Sequence, residues 1–353
     1  MKIIVSPTLG LCFFEFIGTP FGDKLLFEPG KEGSTSGPCR WDSTRSVAAR
    51  RVSEANHSLP LRQSIRRVTK KPVGNSCKCK KDSLQCFYMH RKGNILVCVS
   101  SADKVPLREG GFHATGVFLG ELTEPLSPLL QSGYTIDFVS PDGRPPTIDP
   151  NSHNLLYWGF KRSRLEEAKE VKKVLSKKGM KEPRVLSELL DVDGGLRHYD
   201  LLFVPGGHAP MTDLLYEDWT KGEALNEQTA HLLEHFHQKG KPTVLICHAP
   251  SILAAAGSKD GRWLYDGYAM TCVTMMGEWL IEDAPGFRVI HGHLPDYPEH
   301  ILRRKGAKLK QMPIPMISNI VDDRELLTGQ DPYSARKLGI VMKSKLNAYL
   351  TLQ

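Results

Sequence analysis

The clearest indication of the fold is the segment Thr243-Val244-Leu245-Ile246-Cys247-His248-Ala249-Pro250-Ser251-Ile252-Leu253-Ala254-Ala255-Ala256. Its first four residues form a short apolar run, typical of a strand buried on both faces. Its last five residues are strong helix formers. A cysteine between such a strand and a helix lies at a helix N-terminus, where partial positive charge favours a thiolate. The stretch therefore predicts a nucleophile elbow with Cys247 as the reactive thiol, although the Gly-x-Ser-x-Gly spelling is absent. The alternative is a small buried cysteine that ends a strand.

Similar apolar runs precede this stretch, at residues 94–100, 134–139 and 201–204. Helical patterns lie between them, at residues 121–132 and 223–239. On the second of these, one helical face is apolar and carries Leu225, Leu232, Leu233 and Phe236. Strands that alternate with helices predict an α/β fold with a mostly parallel sheet covered on both sides.

A second motif, Pro205-Gly206-Gly207-His208, closes the strand that precedes the Cys247 strand. Reactive groups gather at the C-terminal ends of parallel strands, so the two turns should lie close together. Paired glycines allow backbone N–H groups to approach a ligand, as an oxyanion hole requires. An ordinary tight turn would explain the glycines equally well, but not their pairing with Cys247.

The basic charge is concentrated near the start of the chain. The net charge is +8, and between Arg40 and Lys92 only Asp42, Glu54 and Asp82 oppose many Lys and Arg residues. We predict that residues 1–92 form a low-complexity, disordered basic extension and residues 93–353 form one domain. The extension has little aromatic interleaving, so no nucleic-acid partner is expected. We expect a cytoplasmic protein; the Arg- and Ser-rich stretch 40–71 leaves organelle targeting open.

The chain has eight cysteines, scattered along its length, which favours a reducing intracellular compartment over a disulfide framework. Cys77, Cys79 and Cys86 could supply half a zinc site, but their spacing is not a standard one. We interpret them as free, exposed thiols. No stretch approaches the roughly twenty apolar residues that span a bilayer, so no membrane partner is expected.

The two turns together resemble a known superfamily. Phe203-Val204-Pro205-Gly206-Gly207-His208 with Ile246-Cys247-His248-Ala249-Pro250 is similar to the PfpI and parkinsonism-associated protein deglycase superfamily, which is class I glutamine amidotransferase-like. The segments 323–332 and 292–294 resemble its larger branch, the heat-inducible chaperones and glyoxalase III proteins. The resemblance covers about residues 94–350. It implies a flavodoxin-like three-layer sandwich with a nucleophile elbow.

The resemblance also implies a set of catalytic residues. The family pattern has a Glu early in the first helix, four residues before a proline. Glu121 fits this pattern, whereas Glu124 does not. A carboxyl group beside a thiolate would have a raised pKa and could move protons near neutral pH. The alternative is a first-turn carboxylate that favours the helix dipole. His248 would be the base for Cys247.

Two further roles follow from the resemblance. Gly206, Gly207 and His248 would form the oxyanion hole. The acid that orients His248 falls where this sequence departs from the family pattern. Glu278 is the nearest candidate and Asp283 a poorer one.

No metal or organic cofactor is expected. Some relatives bind a metal through two His and a carboxylate, and the corresponding positions here are Leu130, Thr135 and a basic residue near Lys161. None of these matches a metal ligand. The histidines of the later chain are interpreted as surface or structural residues, because an H-x-H pair with no close third ligand is weak evidence. They are His291, His293 and His300.

The resemblance implies a glutathione-independent glyoxalase III or protein deglycase in the D-lactate dehydratase class, a lyase or hydrolase of methylglyoxal detoxification and stress response. A small aldehyde would be the substrate, and a homodimer is the expected assembly. Two alternatives stay open on the same fold: a holding chaperone for unfolded protein clients, and a cysteine peptidase or amidase. A true glutamine amidotransferase is disfavoured, because Gly292-His293-Leu294-Pro295 lacks the late His-x-Glu pair.

Overall fold

The computed structural model describes residues 92–192, 194–285 and 288–353, the side chain of Lys259 excepted, and the backbone of residues 2–5 and 12–15. The chain divides into two units, Met1–Cys77 and Lys78–Gln353. In the first unit, β1 (Lys2–Val5) and β2 (Cys12–Glu15) pair antiparallel. This hairpin falls in the segment predicted to be disordered, and its β-branched and aromatic residues have high strand propensity. Otherwise the prediction for residues 1–92, including the free thiols, lies outside the described residues.

The second unit contains the elements of the α/β fold. Its strands are β3 (Asn94–Cys98), β4 (Lys104–Pro106), β5 (Phe112–Ala114), β6 (Thr135–Ser140), β7 (Arg184–Val185), β8 (Leu201–Val204), β9 (Tyr216–Asp218), β10 (Glu223–Leu225), β11 (Thr243–Ile246), β12 (Ser258–Lys259), β13 (Arg262–Trp263), β14 (Ala269–Met270), β15 (Lys308–Leu309), β16 (Ile320–Asp323) and β17 (Leu326–Gly329). Its α-helices are α1 (Leu119–Gln131), α2 (Arg162–Leu175), α3 (Leu186–Asp191), α4 (Glu227–Gln238), α5 (Met275–Glu282), α6 (Pro298–Arg304) and α7 (Ala335–Thr351). Shorter helical segments are Pro150–His153, Leu155–Trp158, Ser176–Met180, Gly195–His198, Ala209–Met211, Ala249–Ala255 and Pro332–Ser334.

One seven-stranded sheet organises this unit, with the strand order β16-β17-β11-β8-β3-β6-β7. Neighbouring strands run parallel except for the antiparallel pair β16 and β17. The mostly parallel sheet predicted from the sequence is therefore confirmed. The register also brings the ends of β8 and β11 together, because Val204 pairs with Leu245. The two turns that carry the sequence motifs are thus neighbours.

The sheet is covered on both faces, which gives three layers. Successive residues of one strand enter different cores: Leu245 belongs to one buried cluster, and Val244 and Ile246 belong to the other. Phe236 of α4 packs in the first cluster and Leu338 of α7 in the second. Because both faces of the strands are buried, their sequences are continuously apolar rather than alternating.

The second predicted helix begins later than its apolar pattern indicates. Glu223–Leu225 is the strand β10, and its pairing with β9 leaves Leu225 37% exposed. The helix begins at Glu227, because the Asn226 side chain accepts a hydrogen bond from the Thr229 N–H at 2.8 Å and caps it. The placement of Leu225 on the apolar helical face was wrong.

The helix predicted at 252–256 is instead a 3₁₀ helix over Ala249–Ala255, in which every residue is buried. Among the described residues, none of the helices has the length and apolar character needed to cross a bilayer.

Helix α1 contains two internal prolines, Pro125 and Pro128. Proline lacks an N–H, so Pro125 cannot donate the usual helical hydrogen bond to the Glu121 carbonyl. At this level α7 packs closely against α1: a Cβ added to Gly339 would lie 2.7 Å from the Pro125 Cα and 3.0 Å from the Glu124 carbonyl oxygen. The turn of α1 that begins at Glu121 is therefore supported from outside by α7.

Candidate active site

The site is built on the turn that follows β11. Cys247 has φ 63°, in the left-handed region that non-glycine residues seldom occupy. Its backbone is bonded on both sides: its N–H donates to the Gly329 carbonyl at 2.9 Å, and its carbonyl accepts from the Val273 N–H at 3.0 Å. Such a conformation costs on the order of 1–3 kcal/mol and persists only where its surroundings enforce it. The sharp elbow predicted at Cys247 is present.

The paired glycines after β8 are required by close contacts. A Cβ on Gly206 would lie 2.3 Å from the Glu121 Oε2 and 2.8 Å from the Cys247 Cβ. Gly207 has φ 100°, and its Cβ would lie 2.2 Å from the Gly116 carbonyl oxygen. No side chain fits at either position unless the surrounding backbone moves.

A thiol, an imidazole and a carboxyl group follow one another in the site. The Cys247 Sγ lies 3.2 Å from the His248 Nδ1. The His248 Nε2 lies 2.7 Å from the Glu278 Oε1, in contact but without the alignment of a hydrogen bond. All three side chains are buried. The structure therefore brings the predicted thiol, base and orienting acid into contact in the order that their proposed roles require.

Glu278 reaches this position because of the way α5 begins. The Thr274 side chain accepts a hydrogen bond from the Gly277 N–H at 3.1 Å and caps the helix, which places Glu278 in its first turn. The poorer candidate, Asp283, lies 3.2 Å from the His293 Nε2 instead.

Glu121 is fully buried beside the thiol. Burial is the main cause that raises its pKa well above the usual range, and the Cys247 thiol and Gly207 N–H face its carboxyl group. Neither contact has full hydrogen-bond alignment. Glu124, in contrast, forms an ion pair with Arg164 at 2.6 Å. Because Gly207 directs its N–H at Glu121, the predicted contribution of Gly207 to an oxyanion hole stays a prediction.

The protonation states differ from the expected thiolate. Burial, followed by the neighbouring Glu121 carboxyl group, raises the pKa of Cys247 well above its ordinary value. Burial also lowers the pKa of His248 to about 3 and raises the pKa of Glu278 to about 7. The helix after Cys247 is a short 3₁₀ segment. Its dipole lowers the pKa of the thiol by less than burial among carboxyl groups raises it. These shifts favour a neutral thiol over the thiolate expected from the sequence.

A cavity of about 350 Å³ opens onto Cys247 and His248. Its wall combines apolar side chains with polar ones near the thiol, as small-molecule sites do. Three polar members were not assigned to the site from the sequence, although Asp331 lies within the segment 323–332 that resembles the larger branch. They are Asp149, Tyr157 and Asp331. Burial raises the pKa of Asp331 to about 6.

The residues that could bind a metal ion are not the histidines His291, His293 and His300 considered in the sequence analysis. The His293 Nδ1 contacts the Glu109 Oε1 at 2.5 Å, and the His300 ring packs edge-on against Tyr297. Within the described ranges, one group has three possible ligand atoms that lie within 4.8 Å of one another. It consists of His208, His248 and Glu278.

Fold and site together define an α/β protein with a buried cysteine at a strand-to-helix elbow. The profile of the DJ-1/PfpI family matches residues 112–341, well over half of the sequence, and the chain belongs to this family. It is 25% identical over 265 residues to a protein named protein/nucleic acid deglycase HchA from Staphylococcus aureus strain bovine RF122 / ET3-1, covering 74% of this chain and 82% of that protein.

Solved structures support the same fold. Rapid Encystment Protein 24 KDa from Francisella tularensis matches with a TM-score of 0.55 and 23% identity, over 72% of this chain and 99% of that one. Glyoxalase III from Candida albicans matches with a TM-score of 0.54 and 20% identity, over 72% of this chain and 97% of that one.

Proposed function

We propose that this protein is a glutathione-independent glyoxalase or deglycase-type enzyme that converts 2-oxoaldehydes to 2-hydroxy acids through the Cys247 thiol. The observation that carries the proposal is the thiol itself, 3.2 Å from the His248 Nδ1, facing Glu121 and open to a cavity of small-molecule size. The similarity to proteins named protein/nucleic acid deglycase supports it.

The first step is addition of the thiol to the aldehyde carbon. As the S–C bond forms, the thiol proton passes to the His248 Nδ1, and the C=O π pair moves onto oxygen. The resulting imidazolium is stabilised by Glu278 at its Nε2. In an elbow, the backbone N–H of the residue after the nucleophile donates to the oxyanion. Here that donor is the N–H of His248. Glu121, protonated at rest, gives its proton to that oxygen to complete a hemithioacetal.

The second step moves two protons. Glu121, now a carboxylate, removes the hydrogen from the former aldehyde carbon, while His248 returns its proton to the neighbouring ketone oxygen. The product is an enediol. Proton return from Glu121 to the second carbon, with loss of a hydroxyl proton from the first to His248, gives a thioester of a 2-hydroxy acid. Water then hydrolyses the thioester and restores the thiol. The raised pKa of Glu121 suits a group that alternates between acid and base.

The test is lactate formation from methylglyoxal without glutathione by the full chain. Cys247→Ala should lose roughly 10³-fold or more of kcat/KM. Cys98→Ala is the matched control, because Cys98 is a buried free thiol that does not line the cavity. A parent protein that is folded by circular dichroism but has no turnover would remove the proposal. Equal losses in both variants would remove the role of Cys247.

A further inference from the structure

The proposed reaction gives no task to His208, a buried group of the site. His208 lines the cavity and is only 8% exposed, and neither of its ring nitrogens has a hydrogen-bond partner within the described part of the chain. Buried polar atoms are nearly always paired, so an imidazole with two unpaired nitrogens requires an explanation. The close contacts of this turn explain the glycines at 206 and 207. They do not explain why the next residue is a histidine.

The surroundings of His208 supply two further donor groups. Its ring centroid lies 4.0 Å from that of His248, with the rings tilted by 47°. The Nε2 of His248 and both carboxyl oxygens of Glu278 also lack an aligned partner. Ligand atoms of the three residues lie within 4.8 Å of one another. Unsatisfied donors of three side chains therefore converge on one place.

Two neutral imidazoles and one carboxylate are a ligand set that zinc and similar divalent ions prefer. Around a tetrahedral zinc ion, ligand atoms about 2.0–2.1 Å from the metal lie about 3.4 Å apart. The His248 Nε2 and the Glu278 Oε1 lie 2.7 Å apart, and all three ligand atoms lie within 4.8 Å of one another, which is compatible with this geometry. Small side-chain rotations would therefore complete the site. Because His208 and His248 both line the cavity, an ion can enter there with water as its fourth ligand.

We propose that His208, His248 and Glu278 form a binding site for one zinc-class divalent ion, and that its occupancy inhibits the thiol site. The ion takes the lone pair of the His248 Nε2, and the single proton of that ring then resides on Nδ1. Nδ1 is the atom 3.2 Å from the Cys247 Sγ, so a protonated Nδ1 has no lone pair to receive the thiol proton. The Cys247 sulfur stays outside the metal site, on the opposite nitrogen of the ring. Metal binding is independent of the proposed function, whereas inhibition of turnover rests on it.

The binding test uses the full chain with Zn²⁺ by calorimetry and with Co²⁺ by visible absorption. We expect one ion per chain at this site, with the absorption bands of a nitrogen- and oxygen-ligated Co²⁺. His208→Gln should weaken binding roughly 100-fold or more, since it removes a direct ligand. The matched control is His113→Gln, whose ring lies 6.5 Å from that of His208 but is outside the group. It should change the affinity less than about threefold.

Two controls keep the binding result decisive. Sulfur ligation by Cys77, Cys79 or Cys86 would add an intense near-ultraviolet charge-transfer band, and it would survive His208→Gln. Glu278→Gln provides a second ligand variant should His208→Gln fail to fold. Absence of binding by the parent, or binding that both ligand variants retain, overturns the site.

The inhibition test compares alkylation of Cys247 by iodoacetamide, followed by peptide mass spectrometry, with and without Zn²⁺. We expect about tenfold slower modification in the presence of zinc, reversed by a chelator, and equal inhibition of turnover. Unchanged alkylation with zinc bound at the site overturns the inhibitory role. Absence of turnover in the metal-free protein removes the proposed function instead, and leaves the metal-binding result standing.

Discussion

A methyl group added at Gly206 should disturb the site directly. A Cβ there would lie 2.3 Å from the Glu121 Oε2, 2.5 Å from the Ile246 carbonyl oxygen and 2.8 Å from the Cys247 Cβ. The last two atoms belong to the elbow and cannot rotate away, and the Glu121 carboxyl group can move only by leaving the thiol. Overpacking of this kind costs about 1–3 kcal/mol of unfolding free energy. A displacement of reacting groups by about 1 Å costs about 100-fold in rate.

The assay for Gly206→Ala has two readouts: kcat/KM for glutathione-independent lactate formation, and the free energy of urea unfolding. Gly120→Ala is the matched control, because the nearest atom to its new Cβ is the Trp158 Cη2 at an ordinary 3.4 Å. Alanine is also the better helix former, so this control should be neutral or stabilising. A folded Gly206→Ala protein with kcat/KM within twofold of the parent would refute the packing argument.

Three further predictions concern protonation, catalysis and packing. Burial raises the pKa of Glu278 from 4.5 to about 7, so its contribution to stability is complete below pH 4.5 and is lost as the pH rises through 7. Between pH 4.5 and 8, Glu278→Gln should therefore gain about 3 kcal/mol relative to the parent in urea unfolding, and parallel pH curves would contradict this. Glu121→Gln should lower kcat by about 10²–10⁴-fold, whereas Glu124→Gln should stay within about twofold; equal losses would mean that the carboxyl group beside the thiol is not the proton carrier. Gly339→Ala should lower the Tm by about 2–6 °C despite a better helix former, because its Cβ would lie 2.7 Å from the Pro125 Cα; a higher Tm would show that α7 can move away from α1.

Much of the fold follows from local signals. The run 243–246 has three apolar residues after Thr243, and the structure places it inside the sheet between β17 and β8, where both faces are buried. Short sequence motifs likewise predict the elbow at Cys247 and the turn with glycines at 206 and 207. The start of α4 was misplaced because the apolar pattern extended to Leu225, while Asn226, the residue that caps the helix, is a one-residue signal.

The chemistry of the site depends on contacts that no local pattern contains. The thiolate expected at Cys247 follows from a helix dipole, but its pKa is set by burial and by Glu121, which is far away in sequence. Asp149 and Asp331 enter the cavity wall from two different loops, and neither loop carries a spacing that marks a site. In the sequence, His208 is marked only as the last residue of a glycine turn. Its relation to His248 exists only after β8 and β11 have paired.

The prolines of α1 have a consequence for how the protein matures. The turn that begins at Glu121 lacks a backbone hydrogen bond at Pro125 and relies on α7, which lies far along the chain. During synthesis, the α1 segment is made early, while the segment that holds it is made late. Contacts between distant segments also form slowly, because a long loop must close first. The carboxyl group of Glu121 should therefore reach its final position only after α7 has docked, so that in a nascent or truncated chain Cys247 lacks the carboxyl group that faces it in the complete fold.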